Sequence, residues 1–276
     1  MKNTSLLIAI VASSLTLNAQ TITPKPLKKV MTLTMPRTVD DEYPGTRGAS
    51  VVWHPLQKKY YAAMAGNTQY PLGVFDAKGK LLSPESLNTD ADVRGLWYNP
   101  QKKQLQGNSY DDYGWFSFKL DSKGIPQSTD IFMEGMNQPD AQSIGAYHTS
   151  LQEVLFLNAG FVSFYSFEDG LSNKSIQIQW GHTKEDGLLE EEADEAETPE
   201  DYNYTTVIYT GIKGDEIGFL NITEKHVELY NIADGFLTKK LSFPEDAPVY
   251  NNFNFAYTNG IYWLFNIETR IWTGYK

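Results

Sequence analysis

Apolar and polar positions along this chain form short runs of roughly four to eight residues, which recur in the same order. The first run of each repeat ends in an aromatic residue followed by a polar turn. The aromatic positions are Trp53, Tyr98, Tyr147, Tyr209 and Tyr257. Short runs bounded by turn residues are typical of β-strands. The pattern therefore predicts an all-β fold made of five copies of one unit.

Two further markers follow the aromatic residue within the copies. An asparagine closes the next apolar run in all five: Asn67, Asn108, Asn158, Asn221 and Asn266. The third run ends in an acidic turn with glycine in four of them: Gly79, Gly124, Gly170 and Gly235. Such turns connect antiparallel strands because glycine accepts a positive φ. Each copy is therefore predicted to be a four-stranded antiparallel sheet.

The spacing of the copies identifies the architecture. The aromatic residues lie 45, 49, 62 and 48 positions apart, and the long interval contains an acidic insertion at 183–202. Without it the period is about 45 residues, the usual length of a propeller blade. The fifth copy lacks a fourth strand, and Lys29–Met35 is a strand-like run that can supply it and cover the open sheet edge. We predict a five-bladed β-propeller whose last blade is closed by the N-terminal strand; a six-bladed ring or another β-array is the alternative.

The first nineteen residues have the pattern of a secretory signal peptide. Lys2 is basic, an apolar stretch runs from Leu6 to Leu17, and Ala19 offers a small-residue cleavage site. The stretch is too short and too rich in serine to span a bilayer, and no second apolar span follows. We expect a secreted or periplasmic protein without a transmembrane span, with 20–276 forming a single domain.

Composition and charge exclude several classes of function. The chain has no cysteine, which excludes disulfides, thiolate metal sites and cysteine nucleophiles. The net charge is −11, but ten acidic residues lie between Glu185 and Asp201, so the rest of the chain is near neutral. Basic residues are not clustered, so nucleic acid is not an expected partner. The insertion itself is predicted to be a short helix or a solvated acidic loop, and without a calcium-binding pattern it indicates no metal.

Ligand-binding residues are predicted on one face of the propeller. In this fold, the loop between the second and third strands shares a face with the connection to the next blade. The repeated asparagines begin these loops, accompanied by Tyr70, Tyr110 and Asp112. One interpretation is that each asparagine caps its strand through a local hydrogen bond. The other is a ring of amides around the channel mouth that contacts a polar ligand.

Arginines at the start of two blades form a second group of candidates on this face. Arg47 and Arg94 each precede a glycine at the start of an inner strand, and acidic residues such as Asp92 lie upstream. Asp140, like Asp92 and Asp112, is expected to approach the channel mouth. Arginine near a channel mouth can bind a carboxylate or phosphate with two hydrogen bonds. The alternative is that Arg94 pairs with a neighbouring aspartate.

The sequence shows no catalytic motif and implies no cofactor. His54 and His148 occupy equivalent turns and are interpreted as polar turn residues. The predicted function is therefore non-catalytic binding of a polar small molecule, glycan, peptide or protein partner. The predicted five-bladed repeat resembles, in architecture only, five-bladed lectins and five-bladed glycoside hydrolases. A hydrolase is one alternative, although the inner strands carry no carboxylate for its acid–base pair. A structural or assembly protein of the cell envelope is another.

Overall fold

The structure is a computed structural model that describes residues 22–36, 47–66, 72–187 and 196–276. Five small sheets form a ring, as predicted, and each sheet is one blade of a five-bladed β-propeller. The inner strand of each blade contacts those of its two neighbours. Segments 1–21 and 188–195, which hold the predicted signal peptide and the middle of the acidic insertion, lie outside the described residues. Among the described residues, no helix has the length and apolar character needed to cross a membrane.

The strands follow the repeat, except that the described part of blade I forms a three-stranded sheet, with an isolated bridge between Phe75 and Leu81 where the fourth strand was predicted. Two N-terminal strands come first, β1 (Lys25–Pro26) and β2 (Lys29–Thr34). Blade I contains β3 (Arg47–His54), β4 (Lys59–Ala65) and β5 (Gly73–Asp76). Blade II contains β6 (Val93–Asn99), β7 (Gln104–Ser109), β8 (Trp115–Leu120) and β9 (Pro126–Met133), with a 3₁₀ turn at Asp111–Tyr113. Blade III contains β10 (Ala146–His148), β11 (Glu153–Asn158), β12 (Phe161–Ser166) and β13 (Ser172–Gln177).

Blade IV contains β14 (Ile208–Tyr209), β15 (Ile217–Asn221), β16 (His226–Tyr230) and β17 (Leu237–Ser242). Blade V contains β18 (Phe255–Thr258), β19 (Ile261–Asn266) and β20 (Ile271–Tyr275). Its fourth strand is β2, which pairs antiparallel with β20, so the predicted closure is confirmed. The short β1 adds a parallel fifth strand to blade IV beside β17. The N-terminal segment therefore adds one strand to blade IV and one to blade V.

The acidic–glycine turns have the geometry expected from the sequence. Gly79 has a φ of +86°, and the Asp76 carboxylate accepts the backbone N–H groups of Lys78 and Lys80 at 2.8 and 2.9 Å. These backbone hydrogen bonds lower the pKa of Asp76, because they favour the ionised carboxylate. The equivalent Gly124 also has a positive φ, of +75°. Each turn reverses the chain between the third and fourth strand positions of its blade.

The hydrophobic core is divided among the blade interfaces. Described buried side chains form one cluster at each of the five junctions between neighbouring blades. At the junction that closes the ring, Leu33 of β2 packs with Val51 of blade I and Trp263 of blade V. Both faces of a blade are therefore covered, which explains runs such as β19, where five of six residues are buried.

Candidate functional site

The topology gives the ring two faces. All inner strands run in one direction along the axis, since each blade repeats the same antiparallel order. The upper face carries the loops between second and third strands and the connections between blades. The lower face carries the turns between first and second strands. The residues predicted to bind a ligand belong to the upper face.

The repeated asparagines have different roles in different blades. Asn108 is fully buried and spans the junction between blades II and III: its amide nitrogen donates to Gln138 Oε1 (2.6 Å) and Ser143 O (2.8 Å), and its Oδ1 accepts Gly145 N–H (3.1 Å). Asn158, by contrast, is exposed. Asn221 and Asn266 each cap a local turn, as expected if the asparagine ends its strand through a local hydrogen bond.

In those caps, Asn221 Oδ1 accepts the N–H of Glu224 at 2.9 Å, and Asn266 Oδ1 accepts the N–H groups of Glu268 and Thr269. Asn67, like Tyr70, lies outside the described residues. Among the four asparagines that the structure describes, no hydrogen bond joins one amide to another. The structure thus distributes these residues among separate blades.

Arg94 is engaged within the protein. Its guanidinium donates to both oxygens of Asp92, at 2.7 and 3.3 Å, and to Gln142 Oε1 at 3.1 Å. The side chain is almost entirely buried and lies 4.7 Å from the ring centroid of Tyr110. This arrangement is the pairing of Arg94 with a neighbouring aspartate, which the sequence offered as the alternative to ligand binding. Arg47 contacts the ring of Phe253 at 5.2 Å.

Tyr110, Asp112 and Asp140 lie together above blade II. Tyr110 is 40% exposed, and both aspartates are exposed to solvent. Asp140 caps its own loop, accepting the N–H of Gln142 at 2.8 Å. These three residues are therefore surface groups outside the channel.

A cavity lies on the axis of the ring. It has a volume of about 280 Å³, and all five inner strands line it. Its wall includes the five aromatic residues that mark the repeat: Trp53, Tyr98, Tyr147, Tyr209 and Tyr257. The sequence predicts these residues at the ends of inner strands, where they mark the repeat. Their common position at the axis was the signal that they also form a site.

A buried phenylalanine lies near the upper end of the inner strands. Phe253 is 1% exposed and packs with Ile144 and other inner-strand residues near the axis. Its backbone N–H donates to Thr205 Oγ1 at 2.7 Å, and its carbonyl accepts the amide of Asn203 at 2.9 Å. It adopts a left-handed φ of +47°, followed by +60° at Asn254, a strained pair that these hydrogen bonds hold.

The cavity opens on the lower face, whereas the loops with the predicted ligand-binding residues lie on the upper face. Turn residues Thr149, Gly211 and Asn259 line its mouth. All three belong to the connections between first and second strands, so they lie at the far end of the inner strands from Phe253.

Each aromatic residue of the wall leans towards the preceding blade. The ring of Tyr98 lies 4.7 Å from His54, and that of Tyr209 lies 4.4 Å from His148. These histidines also cap their turns, since Nδ1 of His54 accepts Gln57 N–H at 3.3 Å. An asparagine at the equivalent place in blade II makes the same type of cap. The prediction that the histidines are turn residues agrees with this geometry.

The cavity wall is uncharged. No Asp, Glu, Lys, Arg or His is among the described residues that line it. Burial raises the pKa of Tyr147 to about 12 and also raises those of Tyr98, Tyr209 and Tyr257, so these phenols stay neutral. A hydrolase of the two-carboxylate type would need an acid and a base here. Neither group is among the described residues of the wall.

No protein-family model matches this chain, and no curated protein matches it. Among solved structures, the chain is similar to the crystal structure of Myxococcus xanthus glutaminyl cyclase, with a TM-score of 0.54 and 9% sequence identity over 92% of this chain and 98% of that chain. It has a lower similarity to a nidogen/laminin complex, with a TM-score of 0.39 and 10% identity over 71% and 63% of the two chains. The first likeness supports the propeller fold. Function has to be argued from the site.

Proposed function

We propose that this protein is a non-catalytic binding propeller that holds a small, uncharged, hydroxylated ligand, such as a sugar unit, in its central cavity. The observation that carries the proposal is the neutral aromatic wall formed by the ends of all five inner strands. Aromatic rings stack on the apolar faces of sugars, while hydroxyl and amide groups bond their hydroxyls. A charged ligand would lose its hydration without gaining a counter-ion.

The size of the cavity limits the ligand. A volume of about 280 Å³ is just below the range of roughly 300–1,000 Å³ typical of clefts for drug-sized molecules. One sugar unit is therefore a better match than an extended oligosaccharide. Because turns of the lower face line the cavity mouth, we expect the ligand to enter from that face.

Two phenols supply specific hydrogen bonds. Within the described part of the chain, Tyr98 and Tyr257 hydroxyls have no hydrogen-bond partner, whereas the Tyr147 hydroxyl donates to Gln101 Oε1 at 3.1 Å. Tyr98 and Tyr257 are both half-buried in the wall. Their hydroxyls are therefore the groups that remain to bind the ligand.

The test is calorimetric titration with neutral monosaccharides and with glucuronic acid as the charged comparison. We expect a neutral sugar to bind and the acid to bind more weakly. A Tyr98→Phe/Tyr257→Phe variant keeps both rings and loses two hydrogen bonds of about 0.5–1.5 kcal/mol each, which together correspond to roughly a 5- to 150-fold loss of affinity. The sugar should be recovered unchanged after incubation.

The matched control is Tyr113→Phe, which removes a hydroxyl that donates to Asp90 O on the upper face. Its affinity should equal that of the wild type. Failure of every neutral sugar to bind, or an unchanged affinity in the double variant, would contradict the proposal.

We also propose that the protein is exported, because residues 1–19 have the pattern of a signal peptide. When the full sequence is expressed in a bacterial host, the protein should appear outside the cytoplasm with a new N-terminus near Gln20, measured by mass spectrometry. Full-length protein retained in the cytoplasm would oppose this.

A further inference from the structure

An exposed apolar group lies on the upper face of blade II. Tyr110, Tyr113 and Met136 are 40%, 39% and 51% exposed, although each is a large hydrophobic side chain. The 3₁₀ turn that carries the tyrosines is joined to the connection that carries Met136, because Gly135 N–H donates to Asp112 O at 3.0 Å. The three side chains therefore belong to one loop cluster, here named the blade II patch.

The aromatic rings of the patch are held in place within the protein. The Tyr113 hydroxyl donates to Asp90 O at 3.0 Å, and the Tyr110 ring lies over the buried Arg94 guanidinium. Arg94 is in turn fixed by Asp92. Surface tyrosines fixed in this way lose little conformational freedom on binding, which favours association.

Acidic side chains flank the patch. Asp111, Asp112 and Glu134 are exposed, and no ion pair in the described part of the chain involves any of them. The rest of this face adds the acidic residues Glu197, Glu200, Asp201, Glu224, Asp246 and Glu268. Asp111, Asp112 and Glu134 therefore have no ion-pair partner within the described part of the chain.

This combination matches the anatomy of a protein interface. Interface centres are rich in tyrosine and methionine, and charged residues form the rim. A rim of one sign selects a partner of the opposite sign and increases the association rate. The exposed side of the Tyr110 ring can also accept a cation, as Arg94 already does from within. We propose that the blade II patch is a docking surface for a basic protein segment carrying Lys or Arg side chains.

The probe is a fluorescein-labelled nona-arginine peptide, measured by fluorescence anisotropy at 50 and 200 mM salt, with nona-glutamate as the charge control. We expect binding of nona-arginine alone, weakened at least several-fold by the higher salt. No binding at 50 mM salt would overturn the proposal.

Variants separate the patch from the general acidity of this face. Tyr110→Ala/Tyr113→Ala leaves the net charge unchanged and should weaken binding about 10-fold. Asp111→Asn/Asp112→Asn/Glu134→Gln should weaken binding at least as much. The matched control changes the same number of charges in blades IV and V, as Glu224→Gln/Asp246→Asn/Glu268→Gln, and should alter the affinity less than 3-fold.

Equal losses in the two charge variants, or full affinity in the tyrosine variant, would overturn the proposal by showing attraction to the acidic face as a whole. Thermal unfolding of each variant checks that the fold is intact. Self-association that the tyrosine variant abolishes would overturn it too, since the patch would then bind a second copy of the chain. Because the cavity is not involved, these outcomes are independent of sugar binding.

Discussion

Replacement of Asn108 by alanine should cause a large loss of stability, whereas the same change at Asn158 should cause almost none. The two residues occupy the same position of the repeat. Asn108 is 0% exposed and makes three hydrogen bonds across the junction of blades II and III. Asn158 is exposed at the end of β11. The comparison separates a role in joining blades from a role in binding a ligand.

The magnitude follows from the groups that lose a partner. In Asn108→Ala, the buried Gly145 N–H and the buried Ser143 carbonyl lose their bonds to the amide. Each unsatisfied buried group costs about 1–3 kcal/mol, and relaxation of Gln138 recovers part of this. We expect a loss of about 3 kcal/mol in the free energy of unfolding, a large share of the roughly 5–15 kcal/mol of a typical protein. For a domain of this size the melting temperature should fall by about 6–12 °C.

The assay is urea unfolding followed by tryptophan fluorescence, with calorimetry for the melting temperature. Asn158→Ala should stay within about 0.5 kcal/mol of the wild type. A loss below about 1 kcal/mol for Asn108→Ala, or equal losses for both variants, would refute the reasoning. An isosteric Asn108→Asp variant keeps the acceptor and loses the two donated hydrogen bonds, so it should also be destabilised.

Three other predictions concern the blade junctions. Burial lowers the pKa values of His54 and His148, so the folded state binds fewer protons than the unfolded state just below about pH 6.5. Stability should therefore fall from pH 7.5 to 5.5 in urea titrations, and the double His→Asn variant, with the asparagine that blade II uses, should show a smaller fall. A Cβ at Gly95 would lie 2.5 Å from the nearest side-chain atom and 2.7 Å from backbone of the next inner strand, so Gly95→Ala should cost about 3 kcal/mol; an unchanged urea midpoint would contradict this close approach. Leu33→Ala in the closing strand should cost about 2–5 kcal/mol, whereas Val30→Ala, at a half-exposed position, should cost less than about 0.5 kcal/mol, and equal urea midpoints would speak against closure by β2.

The repeat made the fold predictable because a propeller uses the same residue types at the same places in each blade. The glycine turns and the aromatic ends of the inner strands needed only local rules. The closing strand at Lys29–Thr34 followed from the absence of a fourth strand in the last copy. In contrast, β1 has two residues, one of them proline, so its pairing with β17 depends on tertiary position alone.

The role of each asparagine could not be deduced from the repeat. Asn108 and Asn158 share one marker, but only Asn108 faces a neighbouring connection, residues 134–145, that folds over it and supplies Gln138 and Ser143. The length and path of that connection decide whether the amide is buried. A pattern within one blade contains no information about the loop that will cover it.

The face on which the cavity opens could not be deduced from the sequence either. Phe253 lies in an asparagine-rich loop and reaches the axis only because two successive non-glycine residues adopt left-handed backbone conformations. Local preferences argue against such a pair, which persists because surrounding hydrogen bonds hold it. The sequence therefore indicated the loop-rich face, whereas the cavity mouth lies on the other.

The same aromatic positions serve both packing and the proposed site, and this duality explains why the site has no separate motif. A cavity on the axis of five similar blades is built from equivalent residues of those blades, so its wall repeats with the fold. Among the described residues, turns of the lower face line the cavity mouth, whereas Phe253 and Arg94 are buried near the upper end of the inner strands. The blade II patch faces the other way. A partner bound there leaves the cavity mouth open, so the two proposals are physically independent and can be tested on the same protein.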